Sequence, residues 1–443
     1  MKTVLMIAYF FPPLGGVGAQ RITKFVRYLP EWGWQPVVLS VSNSPYPLRD
    51  PELATQVPAQ TPIFRARTLE PEHLYPLYLR LAGRRRSPSH SQTHINPPRH
   101  SAGPSWAARL VSWFFVPDGR IGWYGAAVKK GQQAIRQTKP AAIFSTSAPY
   151  TAHLVAQTLA KWSGLPWIMD LRDAWVGNHL EQPPTQLHCH LHSYLERTCV
   201  RRASRVICVT PFMSQTMCSR YPDQPASKFA TITNGYDPSD YEPAVRPVTD
   251  RFLMRYVGSL YAGQGPLAFL RGLSLALEQQ PMLKRYVQVE FIGMMDQANR
   301  QDWESFIHTH ALAPWVTSRP FVPHRQAIQL MQTSHVQILV QAPGERAQDV
   351  YNAKIFEYMG ARRPILAVVS PGATADLIRE TQSGLVADQT NPQSVADAIL
   401  RFFTWFQEGK LQDWPAKGIE VYDRRHLTAQ LAEVLETVVM PKR

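Results

Sequence analysis

Lys354 and Glu357 stand three residues apart in the stretch DVYNAKIFEYMGARRP, and another charged group, Asp349, precedes Glu357 by eight residues. On a helix Lys354 and Glu357 share one face. One cation beside carboxylates that accept hydroxyl hydrogen bonds, at a helix start after a strand, suits a nucleotide-linked sugar. The stretch follows the apolar run 336–340, opens as a polar loop, becomes helix-compatible through Met359 and stops at the Gly-Ala-Arg-Arg-Pro of 360–364.

Five other segments place polar or flexible residues after strand-like runs. FFPPLGGVGAQR puts Gly15, Gly16 and Gly18 before the first helical pattern, where backbone amides can approach a phosphate or sugar, or where the chain simply turns from strand to helix. It is neither a dinucleotide fingerprint nor a P-loop. STSAPYTAHL (145–154, with His153) and DLRDAW (170–175) carry charge to strand ends: Asp170, Arg172 and Asp173 either form a buried ion-pair network that shapes the loop, or Arg172 or Asp173 touches a reacting sugar or phosphate. VGSLYAGQG (257–265, with Gly258 and Ser259) and SPGAT (370–374, with Gly372) are two more glycine turns. In HCHLH, His188 and His192 are a helical i, i+4 pair, but no second cluster completes a metal site, and solvated or partly buried histidines are the favoured reading. No G-x-S-x-G nucleophile elbow is present.

The elements that must hold these segments alternate. Nine strand-like runs, at 3–8, 36–40, 141–146, 166–171, 205–209, 254–258, 287–293, 336–340 and 364–369, are separated by helix-like stretches such as those near 18–30 and 150–161. Such alternation implies parallel βαβ units, hence an α/β chain of two doubly wound domains facing across a cleft. The expected division is 1–235 for a first domain, 236–250 for a Pro-containing polar linker, 251–420 for a second domain, and 421–443 for a last helix that closes the second domain or crosses back to the first. Residues 76–136 differ in character, with Arg84, Arg85, Arg86, Lys129, Lys130 and five other arginines against one acid, Asp118, and an aromatic run at 106–116. They read either as a site for an anionic membrane surface or as a flexible insertion (87–105) followed by a core helix.

With 443 residues, 44% of them hydrophobic, the chain can bury substantial cores. A formal charge of +14 points to anionic partners: phosphorylated metabolites, anionic lipid or nucleic acid. No nucleic-acid-binding module is recognisable, so nucleic acid is not expected. The opening MKTVLMIA is too short for a signal segment, no apolar run approaches the roughly 20 residues that span a bilayer, and the four cysteines do not make a disulfide scaffold. A cytoplasmic protein, soluble or attached peripherally to the inner face of the membrane, is expected.

FFPPLGGVGAQR with KFVRYLPEWGW, VPDGRIGWYGAA, STSAPYTAHL, PWIMDLRDAW, TNGYD (233–237) and AKIFEYMGARRPILA occur in this order. Over nearly its whole length the chain thereby resembles the family 4 retaining glycosyltransferases of GT-B fold, in particular the bacterial polysaccharide-type members. The resemblance implies transfer of a hexosyl-type group from a nucleotide-diphosphate sugar to a glycan or lipid-linked acceptor, with retention and without a metal. It aligns the family's E-x7-E motif on Asp349 and Glu357, so that Asp349 meets donor-sugar hydroxyls, Glu357 the ribose and Lys354 the diphosphate. Gly15, Gly16, Gly258, Ser259 and Gly372 fall on the donor side, and Gly18, Asp170 and His153 on the acceptor side. Lys354, Asp349, Arg172 and Asp173 are the residues it assigns to the reaction. Two departures from the family stand out: Ser259 and Gln264 replace its usual cations, for which Arg255, Arg346 or Arg172 is the expected substitute, and its frequent histidine falls near Arg172. A non-catalytic nucleotide-sugar-binding protein and a nucleotide-sugar epimerase are the alternatives.

Overall fold

The computed structural model describes residues 1–71, 113–177, 183–243, 245–260, 264–342, 350–412 and 414–440. Asp349, Arg346, the arginines at 84–86 and the segment 87–105 lie outside them. The chain divides into two units, Met1–Thr233 with Arg425–Arg443, and Asn234–Arg424.

The first unit is built on a parallel sheet of seven strands: β1 (Lys2–Ile7), β2 (Trp34–Val41), β3 (Ile63–Ala66), β4 (Ala142–Thr146), β5 (Trp167–Leu171), β6 (Arg205–Cys208) and β7 (Phe229–Thr231), ordered 3-2-1-4-5-6-7. Apolar runs become strands here because both sheet faces are covered. Along β1 and the residues just after it, Leu5, Ile7 and Tyr9 enter one core cluster while Val4, Met6 and Ala8 enter the other. The helix Tyr124–Thr138 covers the first face, with Ala127, Gly131 and Ala134 buried, so the end of the basic stretch is core structure. The opposite face receives the C-terminal helix Arg424–Val439 through Leu427, Leu431 and Leu435, spaced i, i+4, i+8. Burying each leucine contributes about 1.5–3 kcal/mol. A Lys2 to Glu436 ion pair fastens the end of that helix to β1.

The second unit repeats the arrangement with six parallel strands: β8 (Phe252–Val257), β9 (Val287–Ile292), β10 (Val316–Arg319), β11 (Val336–Val340), β12 (Ile365–Val369) and β13 (Gly384–Asp388), ordered 10-9-8-11-12-13. Residues 236–242 pack on this unit: Tyr236 bonds Tyr422 and Arg424 through the backbone, and the Tyr241 hydroxyl donates to the Glu357 carbonyl at 2.8 Å. In both sheets the strand order reverses beside the first strand of the unit, between β1 and β4 and between β8 and β11. Loops at the carboxyl ends of those strands are where such sheets hold ligands.

Candidate functional site

In the second unit, β8 ends at Val257 and the chain turns through Gly258 at φ 142°, a conformation that suits glycine. Lys354, the first residue of the helix Lys354–Gly360, passes over that turn; a Cβ on residue 258 would lie 2.1 Å from the lysine Cε. Its ammonium stands 5.4 Å from the centroid of the Tyr256 ring. Asn352 fixes the start of this helix, donating to the Val340 carbonyl at 3.0 Å and accepting from the Lys354 amide at 3.2 Å. One turn on, the Tyr358 hydroxyl bonds both the amide and the carbonyl of Val257, at 3.0 and 3.2 Å. The Lys354 and Tyr358 side chains thus clamp the end of β8 from one helix face. Glu357 is half-buried, and its carboxylate accepts no hydrogen bond among the described residues. Gly372, at φ 148°, precedes the helix Ala373–Thr381, whose Thr374 hydroxyl bonds the Asn352 amide at 3.1 Å. Ser259 offers its carbonyl to the Tyr256 hydroxyl at 3.0 Å. Arg255 is buried, with its guanidinium on Glu290 at 2.6 Å, on the Leu330 carbonyl at 3.0 Å and on Thr333 at 2.8 Å. It is therefore taken up by structural partners.

In the first unit, Gly16 at φ 97° caps the helix Val17–Tyr28. A Cβ at Gly18 would sit 2.9 Å from Nη1 of Arg172, so the guanidinium lies against the first turn of that helix. Arg172 Nε donates to the Ser147 carbonyl, and Nη2 donates to that of Ala148 at 3.3 Å. Nη1 has no hydrogen-bond partner among the described residues. Burial lowers the Arg172 pKa from its ordinary value, and Asp173 and Asp170 oppose the shift. Asp173 is half-buried beside it.

Asp170 is fully buried and faces the interior. It pairs with Arg21 at 2.8 Å and accepts from Thr146 at 2.7 Å, while Arg21 also donates to the carbonyls of Ile232 and Thr233. The pair joins the first helix, β5 and the end of the unit. Breaking such a buried pair costs about 3–5 kcal/mol. His153 is buried with Nδ1 2.8 Å from Ser145 Oγ, and burial pulls its pKa to about 3. An imidazole that stays neutral to that pH is poorly matched to proton transfer near pH 7.

Several residues that the motifs do not single out hold the loop carrying Arg172. Tyr150 stacks on Trp175 at 4.8 Å and donates to the Ala174 carbonyl at 2.7 Å. Trp175 donates to His192 at 3.1 Å, and buried Glu196 accepts from the Val176 amide at 2.9 Å, from Arg220 at 2.8 Å and from Tyr221 at 2.6 Å. His188 bonds Thr185 and the Trp113 carbonyl. Both histidines of the i, i+4 pair therefore serve packing, and no group of three or more His, Cys, Asp or Glu among the described residues is placed to hold a metal ion. Asp118 caps the helix Thr151–Ser163 through the amide and hydroxyl of Thr151, at 3.0 and 2.8 Å, and burial raises its pKa against the pull of those bonds. It lies in VPDGRIGWYGAA, where a lone acid in a basic stretch is the available signal.

Residues 15–240 match the sequence profile of Glycosyltransferase Family 4, and residues 252–404 that of Glycosyl transferases group 1. Among curated protein sequences, none matches this one. Solved structures of similar fold include HepE from Anabaena in complex with UDP, at 15% identity and TM-score 0.64, covering 99% of this chain and 100% of that one. A glycosyltransferase from Rickettsia africae is 13% identical with TM-score 0.64, covering 100% and 99%. WaaG, a glycosyltransferase involved in lipopolysaccharide biosynthesis, is 11% identical with TM-score 0.56, covering 98% and 99%. At these identities the likeness is one of fold. Among the described residues, no helix is long and apolar enough to cross a membrane.

Proposed function

The chain belongs to glycosyltransferase family 4, and from that premise we propose that it moves a hexosyl-type group from a nucleotide-diphosphate sugar to a hydroxyl of a lipid-linked or growing surface glycan, with retention of configuration. In this reading the bond between the anomeric carbon and the diphosphate breaks, the acceptor oxygen bonds that carbon on the same face, and the acceptor proton leaves with the departing phosphate oxygen. Charge grows on that phosphate, so preorganised donors there lower the barrier.

The carrying observation is the path of Lys354 over Gly258, which fixes an ammonium at the end of β8 with the Glu357 carboxylate one turn away. Lys354 then meets the diphosphate, Glu357 the ribose hydroxyls and Asp349 the sugar. Gly258, Ser259 and Gly372 supply turns that a donor can approach closely. In the first unit, Gly15 and Gly16 lead into the helix on whose first turn, at Gly18, the open Nη1 of Arg172 rests, and Arg172 is the cation of this unit that we assign to the reaction. Asp173 balances its charge. Asp170 and His153 support the acceptor side from the interior.

The complexes of HepE with UDP and with UDP-glucose favour uridine-linked sugars as the first donors to try. A donor panel with mass detection, run with lipid-linked and soluble glycan acceptors and with and without chelator, tests the reading. A new glycosidic product of retained configuration, formed equally in chelator, is the expected result. The absence of cations at 259 and 264 favours one second reading, a nucleotide-sugar-binding protein without transfer. Tight donor binding with no product from any acceptor would establish that alternative.

A further inference from the structure

The helix Gln186–Arg202 buries His188, Glu196, Cys199 and Val200 against the first unit. Its outer face carries Leu187, Leu191 and Tyr194, which are 75%, 40% and 64% exposed. At 3.6 residues per turn the three fall within one arc of about 60°. Trp113 and Phe114, 51% and 76% exposed, extend the patch. They adjoin it through His188, whose ring lies 5.2 Å from that of Trp113. Farther along the helix, Arg202 borders the same arc and Arg197 stands at its margin, while Arg201 is paired with the exposed Asp223 at 2.9 Å. Glu196, the helix's one acid, faces inward. Single exposed apolar residues are ordinary, whereas a contiguous group beside cations marks an interaction surface.

We propose that this face docks on an anionic lipid bilayer. Leucine and aromatic side chains enter the boundary between headgroups and acyl chains, while the arginines meet lipid phosphates. The occupant follows from charge: with Arg201 held by Asp223, Arg197 and Arg202 are the cations offered to lipid phosphates, the helix itself has no exposed acid, and the chain carries a formal charge of +14. The inference deepens the reading of a lipid-linked acceptor and rests on it, since docking would hold the enzyme at the surface where that acceptor lies.

Flotation of the full chain with vesicles of phosphatidylcholine alone, and of equal parts phosphatidylcholine and phosphatidylglycerol, tests the surface without donor or acceptor. Binding to the mixed vesicles alone is expected. Replacing Leu187, Leu191 and Tyr194 together by Ser should weaken it by about tenfold or more. Arg197→Gln with Arg202→Gln should weaken it by about fivefold per arginine, and added salt should weaken wild type in the same sense. Equal binding to neutral vesicles, or a Ser variant that floats like wild type, overturns the proposal. So does a wild-type dimer that the Ser variant converts to monomer, which makes a second copy the occupant. A clear fall in melting temperature in the Ser variant would show the face covered by its own chain, with the same consequence. Vesicle binding without transfer from any donor would count against the enzymatic reading and support the surface; transfer to a soluble acceptor without vesicle binding would do the reverse.

Discussion

Lys354 lies so close to Gly258 that a Cβ on residue 258 would fall 2.1 Å from Cε and 3.0 Å from Cδ of the lysine. Gly258→Ala therefore meets two obstacles, a displaced lysine and a φ of 142° that L-residues rarely adopt. Strain of this kind amounts to about 1–3 kcal/mol. We expect the variant to fold and its donor KM to rise by about tenfold or more. Lys354→Ala, which removes the charge and keeps the turn, should lower kcat/KM by about 10²–10³. Unchanged steady-state kinetics in Lys354→Ala would remove this residue from the donor site.

Arg172 and Gly18 make a second such contact, with both terminal nitrogens within 3.0 Å of the position of a Cβ. The end of a flexible side chain can usually swing aside, but this guanidinium is tied to the carbonyls of Ser147 and Ala148. Gly18→Ala should thus lower turnover in the same direction as Arg172→Ala and by less. Arg172→Lys keeps the charge but loses the planar fork, and should retain no more than about a tenth of wild-type kcat. Stopped-assay rates at saturating donor would decide it; wild-type kcat in Arg172→Lys would show that only a point charge, or none, is needed.

The apolar runs legible in the sequence coincide with the nine interior strands of the two sheets. β3, β7, β10 and β13, which no apolar run announces, are the four edges. Edge strands cover fewer buried positions: β10 is Val-Thr-Ser-Arg with only Val316 buried, and β3 buries only Ala66. A continuous apolar run signals burial on both faces, and edges do not need it. The candidate site follows the same logic. Lys354 and Glu357 share a helix, as their spacing requires, because that is a local property. The path of Lys354 over Gly258 depends on β11 lying beside β8, about 80 residues apart in sequence, and no periodicity encodes that neighbour. The partner of Asp170 is likewise distant, Arg21 and not the adjacent Arg172.

His153 makes stability depend on acid pH in a defined direction. Its folded pKa, about 3, lies below its ordinary 6.5, so between those values the unfolded chain binds more protons than the folded one. Stability must then rise with pH through this window and fall as the solution is acidified. The shift corresponds to an effect on the order of several kcal/mol at full protonation. His335, with a folded pKa of about 4, acts in the same sense in the second unit. His153→Asn, which can keep a bond to Ser145, should flatten the slope. Urea midpoints at pH 7 and pH 5 measure it: wild type should lose more than the variant, and equal losses would show that His153 titrates normally.

Glu196 positions Arg172 at one remove, since the Val176 amide it holds lies four residues beyond the guanidinium. Its carboxylate takes three donors in the interior, and an amide in its place turns one of its own N–H groups toward another donor. Leaving such a group mismatched costs about 1–3 kcal/mol, so Glu196→Gln should lower the melting temperature by several degrees. A purely structural residue would do no more than that at temperatures well below unfolding. A positioning residue should also lower kcat there, because Arg172 is among the residues assigned to the reaction. Arg220→Met supplies the control. It removes one partner of Glu196, 31% exposed, while leaving the Val176 bond, and should cost stability without the loss of kcat. Equal kcat in wild type and Glu196→Gln would confine Glu196 to the core.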